Sequence, residues 1–405
     1  MKRVIFHIDV NNAFLSWEAV YRLEKGIAGP DLRTIAAAVG GDIEKRHGII
    51  LAKSMEAKKY KIQTGEPITD ALKKCPHLEI IPPTRDIYPK YSKAFMEILH
   101  KYSDKVEQVS VDEAFMDMTG MEKLFGEPVL IAEKIKSEIY DTLGFTVNVG
   151  ISSCKILAKM ASDFQKPNKI HTLFPEEIQS KMWPLPVGDL FSVGKASAKK
   201  LNSMGILTIG DLAKTNPEIL KSHLKKHGES IWKFANGLDD SPVEPVPAES
   251  KGYGNSTTLP ADVTESAEAK KILLSLAEKV GRRLREDDAR IEVVSVGIRF
   301  FDLSNISHQT VLNAPTNITA EIHSAACKLF DEMWDGTPIR LLGIQTGRVS
   351  RGESNRQMSL FDNTDYEKLE KLDSAIDSIR KKFGSDAICR AAFMESNTKG
   401  KMSDD

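Results

Sequence analysis

The sequence predicts a multidomain α+β protein whose first domain has a ferredoxin-like core. Three observations predict it. Strand-like and helix-like segments alternate from the N-terminus to residue 151 in the order β-α-β-β-α-β, once residues 11–82 are set aside as an insertion after the first strand. At 405 residues the chain is too long for a single core and has room for two to four domains. A Pro-rich run, Ser241-Pro242-Val243-Glu244-Pro245-Val246-Pro247, has extended, weakly structured composition and divides this part from a later α/β unit.

In order, residues 4–10 read as a buried strand ending at Asp9, followed by a helix to about Leu23. Residues 35–39 and 48–53 read as two strands around a turn, with short helices near 54–59 and 68–74, the second stopping before Pro76. A helix runs from Pro89 to about Tyr102. A strand pair around Asp112-Glu113, a helix over 128–143 and a strand over 146–151 complete the first domain. A helix over 155–165 ends at Gln165-Lys166-Pro167-Asn168, and residues 174–240 read as short helices with tight turns. After the Pro-rich run, a basic helix over about 265–286 precedes a strand at 291–301. A polar stretch follows Ser350, then a helix over about 366–383 and a disordered Ser/Thr/Lys/Asp end.

Composition excludes several classes. No apolar run reaches the roughly 18 residues of a membrane span. Asp9, Asn11 and Asn12 interrupt the run behind Lys2 and Arg3, against a signal peptide. Cys75, Cys154, Cys327 and Cys389 form no C-x-x-C pair, which argues against a structural zinc site or disulfide framework and suits a reducing cytoplasm. A net charge of −1 means that any nucleic-acid surface must be local.

The chemistry concentrates in Val109-Ser110-Val111-Asp112-Glu113-Ala114-Phe115. Adjacent strand residues point to opposite faces, so Asp112 and Glu113 converge only if the strand breaks between them. In a ferredoxin-like sheet the first and third strands are neighbours, which brings Asp9 to the same sheet end. Three carboxylates there suit Mg²⁺, a hard ion that prefers oxygen. Two such ions about 3.5–4 Å apart activate a 3′-hydroxyl and stabilise a leaving pyrophosphate. Lys166 and Lys58 are candidate triphosphate contacts; a solvated lysine at a helix end is the plainer reading of each. Leu190-Phe191-Ser192-Val193-Gly194-Lys195 with Leu201–Leu212 reads as helix–hairpin–helix, where Gly194 lets backbone N–H groups approach a phosphate and Lys195 adds charge. Arg282, Arg283 and Arg285 on the basic helix suit DNA phosphates; a solvated face is the alternative. Gly40-Gly41-Asp42-Ile43-Glu44 loosely resembles the turn of diguanylate cyclases, and its Asp-x-Glu that of proofreading exonucleases, but it reads as a Gly-rich hairpin in the insertion.

Taken as an ordered set, Asp9-Val10-Asn11-Asn12-Ala13-Phe14, Ser110-Val111-Asp112-Glu113-Ala114, Val149-Gly150-Ile151-Ser152 with Lys155 and Lys159, Lys166-Pro167-Asn168 and the hairpin helices resemble Y-family translesion DNA polymerases of the polymerase IV (DinB/UmuC) type, over about residues 1–350. The resemblance implies a right hand: palm (1–10 and 83–173), fingers (11–82), helix–hairpin–helix thumb (174–240), linker (241–252), α/β little finger (253–350) and a tail (351–405). It implies low-fidelity, template-directed DNA synthesis without proofreading, with Asp9, Asp112, Glu113 and the Val10 carbonyl holding two Mg²⁺ ions, Mn²⁺ being able to substitute. Phe14 would be the steric gate against ribonucleotides, with dNTP and primer–template DNA as substrates of a cytoplasmic monomer. Gln357, Leu360 and Phe361 resemble the peptide that docks bacterial polymerases on the sliding β clamp. The chain departs from the family at Asn11, where a second acid is frequent, at Met55 and Lys58, where Tyr and Arg are usual, at Ser192, a usual hairpin glycine, and at Lys169, a common glycine. A non-catalytic DNA-binding or recruitment protein on the same scaffold, and a palm-domain nucleotide cyclase, are the rival readings.

Overall fold

The computed structural model describes residues 3–44, 46, 48–352 and 365–393. It divides into two compact units, one of Met1–Asp42 and Gly48–Pro247, the other of Ala248 onward with the short segment Ile43–His47.

The first unit begins with β1 (Ile5–Val10), α1 (Ala13–Glu24), β2 (Ala37–Gly40), β3 (Ile50–Lys53), α2 (Met55–Lys59), α3 (Ile68–Lys74), β4 (Glu79–Ile81) and α4 (Ile87–Leu99). It continues with β5 (Val106–Gln108), β6 (Glu113–Asp117), α5 (Glu122–Phe125), α6 (Pro128–Leu143), β7 (Val147–Ser152), α7 (Lys155–Asp163) and β8 (Ile170–Thr172). The main sheet has the order β5-β6-β1-β7-β8. Without the edge strand β8 this is the ferredoxin-like order, with β1 antiparallel to both β6 and β7. Phe6, Ile8 and Val10 alternate onto one face, where they meet Phe95 and Leu99 of α4 and Ile131, Ile135 and Ile139 of α6. His7 and Asp9 point to the other face, which α7 crosses. Gly150 permits that crossing, because a Cβ there would lie 1.9 Å from the Ala158 carbonyl oxygen.

The inserted subdomain has its own sheet, β3-β2-β4, over a small core of Ala38, Ile50, Ile62, Ile68 and Leu78. Ser54 caps α2, its Oγ accepting from Ala57 N at 3.0 Å. Beyond β8, helices α8 (Lys195–Ser203), α9 (Ile209–Lys214), α10 (Pro217–Leu224) and α11 (Lys226–Ala235) pack Leu201, Leu212, Leu220 and Ile231 against Leu157 and Met160 of α7.

The Pro-rich run departs from the expected free linker at its start. Val243 is 5% exposed and packs with Ile5, Phe115 and Ala158. Glu107 accepts from Glu244 N at 2.8 Å, and Asp239 caps α7 by accepting from Ile156 N at 3.0 Å. Proline fixes an extended backbone but leaves the intervening apolar side chain able to pack.

The second unit contains β9 (Gly254–Val263), α12 (Ser266–Glu286), β10 (Ala289–Phe300), β11 (Asn305–Thr316), α13 (Thr319–Met333), β12 (Ile339–Arg351) and α14 (Tyr366–Phe383). The element order through β12 is again β-α-β-β-α-β, yet the sheet order is β11-β10-β12-β9, so the first strand lies at an edge. Leu273, Leu276, Val280 and Leu284 of α12 and Ile322, Leu329 and Phe330 of α13 pack on Val294, Val296, Leu342 and Ile344 of one sheet face.

Candidate active site

The site forms where β1, β6 and β7 end. Asp9 is the direct register partner of Glu113 on one side and of Asn148 on the other. Directly opposed residues on antiparallel strands share a face, so Asp9 and Glu113 project together onto the face that α7 crosses. The expected strand break is present. β6 begins at Glu113, and Ser110–Asp112 form a bend before it. Val10 N donates to Asp112 O at 2.9 Å, which pins that bend to the end of β1. Asp112 faces Ser110, whose Oγ donates to Oδ1 at 2.5 Å.

Each paired acid has its own lysine. Lys159 Nζ donates to Glu113 Oε2 at 2.5 Å, and Lys166 bonds Asp9 and reaches Asp163 at 2.9 Å. Burial pushes the Asp9 carboxyl above its usual range, against the opposing pull of Lys166. His7, then Lys159, hold the Glu113 carboxyl down at about 2. His7 is itself buried, which lowers its pKa. Its Nδ1 lies 2.8 Å from Ser162 Oγ and its Nε2 makes a long 3.4 Å contact to Glu113. The α7 spacing explains the arrangement: Lys155, Lys159 and Ser162 lie three or four residues apart on one helix face. Lys155 sits 4.9 Å from the Phe115 ring centroid and pairs with Glu107 at 2.6 Å.

The donor set fits a hard divalent cation. The acids offer oxygen only, and two of them, Asp9 and Glu113, already sit against lysine ammonium groups. Among the described residues no three acid, His or Cys side chains are drawn together closely enough to hold an ion by themselves.

The remaining predicted residues fall as follows. Phe14 lies in the first turn of α1, half-buried, with its ring centroid 4.5 Å from Tyr88 and 6.0 Å from Trp17. Lys58 is exposed on the last turn of α2. Beside it Lys53, missed in the sequence, has its pKa lowered by burial first and by Lys58 second. The signal for it was a lysine ending an otherwise apolar strand. Gly194 caps α8 and Lys195 opens it, both exposed, next to Ser192 at φ 76.

On α12 the three arginines separate. Arg282 is part-exposed, and Arg283 is exposed while donating to Gly254 O at 3.0 Å. Arg285 is a correction to the expected phosphate grip. Its side chain is 12% exposed and bonds Asp377 at 2.6 Å, Asn317 O at 2.7 Å and Asp373 at 3.3 Å. A guanidinium with its donors committed to carboxylates is not offered to DNA. The sequence also left unread the sheet face opposite α12 and α13. There, register rows Gln309–Ser295–Gln345–Gly254, Ser307–Gly297–Gly343–Ser256 and Asn305–Arg299–Leu341–Thr258 make a surface of mostly small and polar residues. The signal was the alternation Ser295, Gly297, Arg299 within an apolar strand. Gln357, Leu360 and Phe361 lie outside the described residues.

Comparison with known proteins bears on the whole chain. Residues 8–163 match the impB/mucB/samB family, residues 250–360 its C-terminal domain, and residues 188–239 a thumb domain described from DNA polymerase iota. DNA polymerase IV of Clostridium acetobutylicum is 47% identical over 400 residues, covering 98% of this chain and 100% of that protein. DNA polymerase IV 2 of Bacillus subtilis is 38% identical, covering 97% and 95%. A solved Y-family DNA polymerase chimera superposes with a TM-score of 0.72 at 24% identity, over 86% of this chain and 100% of that one, which speaks for the fold.

Proposed function

The chain belongs to the DNA polymerase IV family within the Y-family DNA polymerases, and we propose that it works through Asp9, Asp112 and Glu113. It is a DNA-directed DNA polymerase of translesion synthesis, acting on DNA and dNTP with divalent metal. The observation that carries the residue assignment is the register pairing of Asp9 with Glu113 at a sheet end, beside a bend that supplies Asp112.

On this reading the three carboxylates and the Val10 carbonyl hold two Mg²⁺ ions, Mn²⁺ being able to substitute. Ions held there would supply activation of the primer 3′-hydroxyl and charge neutralisation at the leaving pyrophosphate. Lys166, and Lys58 with Lys53, neutralise the triphosphate, and positioning of this kind is most of what phosphoryl transfer asks of a protein. Lys58 donates as a point charge and cannot reproduce a bidentate arginine. Phe14 walls the sugar. Gly194 and Lys195 of the thumb, Arg282 and Arg283 and the open face of the little-finger sheet take the DNA backbone, where small residues let phosphates come close. Gln357, Leu360 and Phe361 dock on the sliding clamp. A cytoplasmic monomer completes the reading; the four cysteines, all free, suit a reducing compartment.

Primer extension with Mg²⁺ and single dNTPs tests it. Asp112→Ala and Glu113→Ala should each lower the rate by at least about a hundred-fold while DNA affinity stays nearly unchanged. Full activity of Asp112→Ala would overturn the assignment. Tight DNA binding with no extension by the wild-type chain would instead favour the non-catalytic reading.

A further inference from the structure

Two buried amides join three separate pieces of backbone beside Asp9. Asn11, 5% exposed, follows β1, and Asn148, 0% exposed, lies on β7 as the register partner of Asp9. Asn11 Nδ2 donates to Asn148 Oδ1 at 3.1 Å. Asn11 Oδ1 accepts from Thr146 Oγ1 at 3.0 Å and from Asn168 N at 2.8 Å. Asn148 Oδ1 also accepts from Lys169 N at 3.1 Å, while its Nδ2 donates to Ser162 O at 2.9 Å and Gln165 O at 2.7 Å.

Every polar atom of Asn148 is used, and its orientation is fixed. The oxygen meets only N–H groups and the nitrogen meets only carbonyls, so a flipped amide would lose all four bonds. Three of the bonds in this network fall on Gln165, Asn168 and Lys169, which bracket Lys166 and Pro167. The amides therefore grip the loop on both sides of the lysine whose ammonium reaches Asp9. An apolar pair of similar size would fill the same space without orienting these backbone groups, and buried polar networks that are fully satisfied specify one arrangement.

We propose that Asn11 and Asn148 are positioning residues for the incoming nucleotide: they hold the 165–169 loop so that Lys166 meets the phosphates of a nucleoside triphosphate. The inference rests on the reading of Lys166 as a triphosphate contact. It also gives a reason for an amide at position 11. A carboxylate there would set an oxygen against Asn148 Oδ1, and Asn148 cannot turn without dropping Ser162 and Gln165.

The test uses the full chain and a primer–template ended by a 3′-dideoxynucleotide, so that dNTP binding is read without bond formation. The variants are Asn148→Ala, Asn11→Asp, Lys166→Ala and each asparagine variant combined with Lys166→Ala. Asn148→Ala and Asn11→Asp should each weaken dNTP binding about ten-fold, since small misplacement of a positioned group is costly, with DNA affinity within about two-fold of wild type. Each double variant should bind dNTP no more weakly than Lys166→Ala alone, because the loop then has no ammonium to place. Asn11→Asp keeps both acceptors for Thr146 and Asn168 and serves if Asn148→Ala does not fold. Unchanged dNTP affinity in the asparagine variants, or losses that multiply with that of Lys166→Ala, would overturn the inference while leaving Lys166 in place. If Lys166→Ala itself binds dNTP like wild type, the reading of Lys166 fails and the inference with it.

Discussion

Phe14 and Tyr88 pack ring against ring at 4.5 Å, and the hydroxyl of Tyr88 donates at 2.7 Å to the buried carboxylate of Glu18. Glu18 also accepts from Thr84 Oγ1 at 3.0 Å, so the backing of Phe14 is tied to α1 and to the start of α4. If Phe14 walls the sugar, as proposed, this fixed backing would resist the ring's displacement by a larger sugar. Phe14→Ala should therefore raise ribonucleotide incorporation by about ten-fold or more relative to dNTP. Single-nucleotide insertion with matched dNTP and rNTP pairs measures this; an unchanged ratio would return Phe14 to the role of a core residue.

Arg285 and its two neighbours should behave differently. Arg285→Ala leaves Asp373, 5% exposed, without one of its cations, and breaking a buried pair costs about 3–5 kcal/mol. Arg390 still faces Asp373 at 3.2 Å, which places the loss at the lower end. The variant should show earlier protease cleavage around 365–393 and an unchanged salt dependence of DNA binding. Arg282→Ala with Arg283→Ala should instead flatten the salt slope by up to about two units with little change in stability. Identical salt slopes in all three proteins would remove α12 from the DNA surface.

Ser192 holds φ 76, a left-handed backbone that glycine adopts freely and serine does not. Its side chain is exposed and replaces nothing in the core. Ser192→Gly should stabilise the first unit by about 1 kcal/mol, a rise in its melting temperature of about 2–4 °C, and should leave DNA affinity equal or higher. Thermal melting followed by Trp fluorescence reads the shift. A fall would mean that the hairpin draws its stability from the serine hydroxyl.

Leu360→Ala with Phe361→Ala should keep distributive primer extension and lose stimulation by the sliding clamp, because tethering raises local concentration without touching the active site. Titration of labelled clamp gives the direct reading, and equal affinity in the double variant would remove this peptide as the anchor.

Local sequence determined the elements and the order of the acids. The run Val4–Ile8 before Asp9, the break before Glu113 and the capping at Pro128 and Gly144 are short-range signals, and α6 spans the very residues that its pattern predicts. The family resemblance likewise rests on linear motifs, and the comparisons bear it out. Tertiary structure decided what each side chain faces. Arg282, Arg283 and Arg285 look alike in sequence, yet a helix turns each by about 100°, and the acids that claim Arg285 arrive from α14, nearly ninety residues on. The sheet order of the second unit, the anchoring of Val243 and the amide grip of Asn11 and Asn148 on the Lys166 loop share that cause. Each depends on partners far apart in the chain, brought together only when whole elements pack, and periodicity along the sequence carries no record of them.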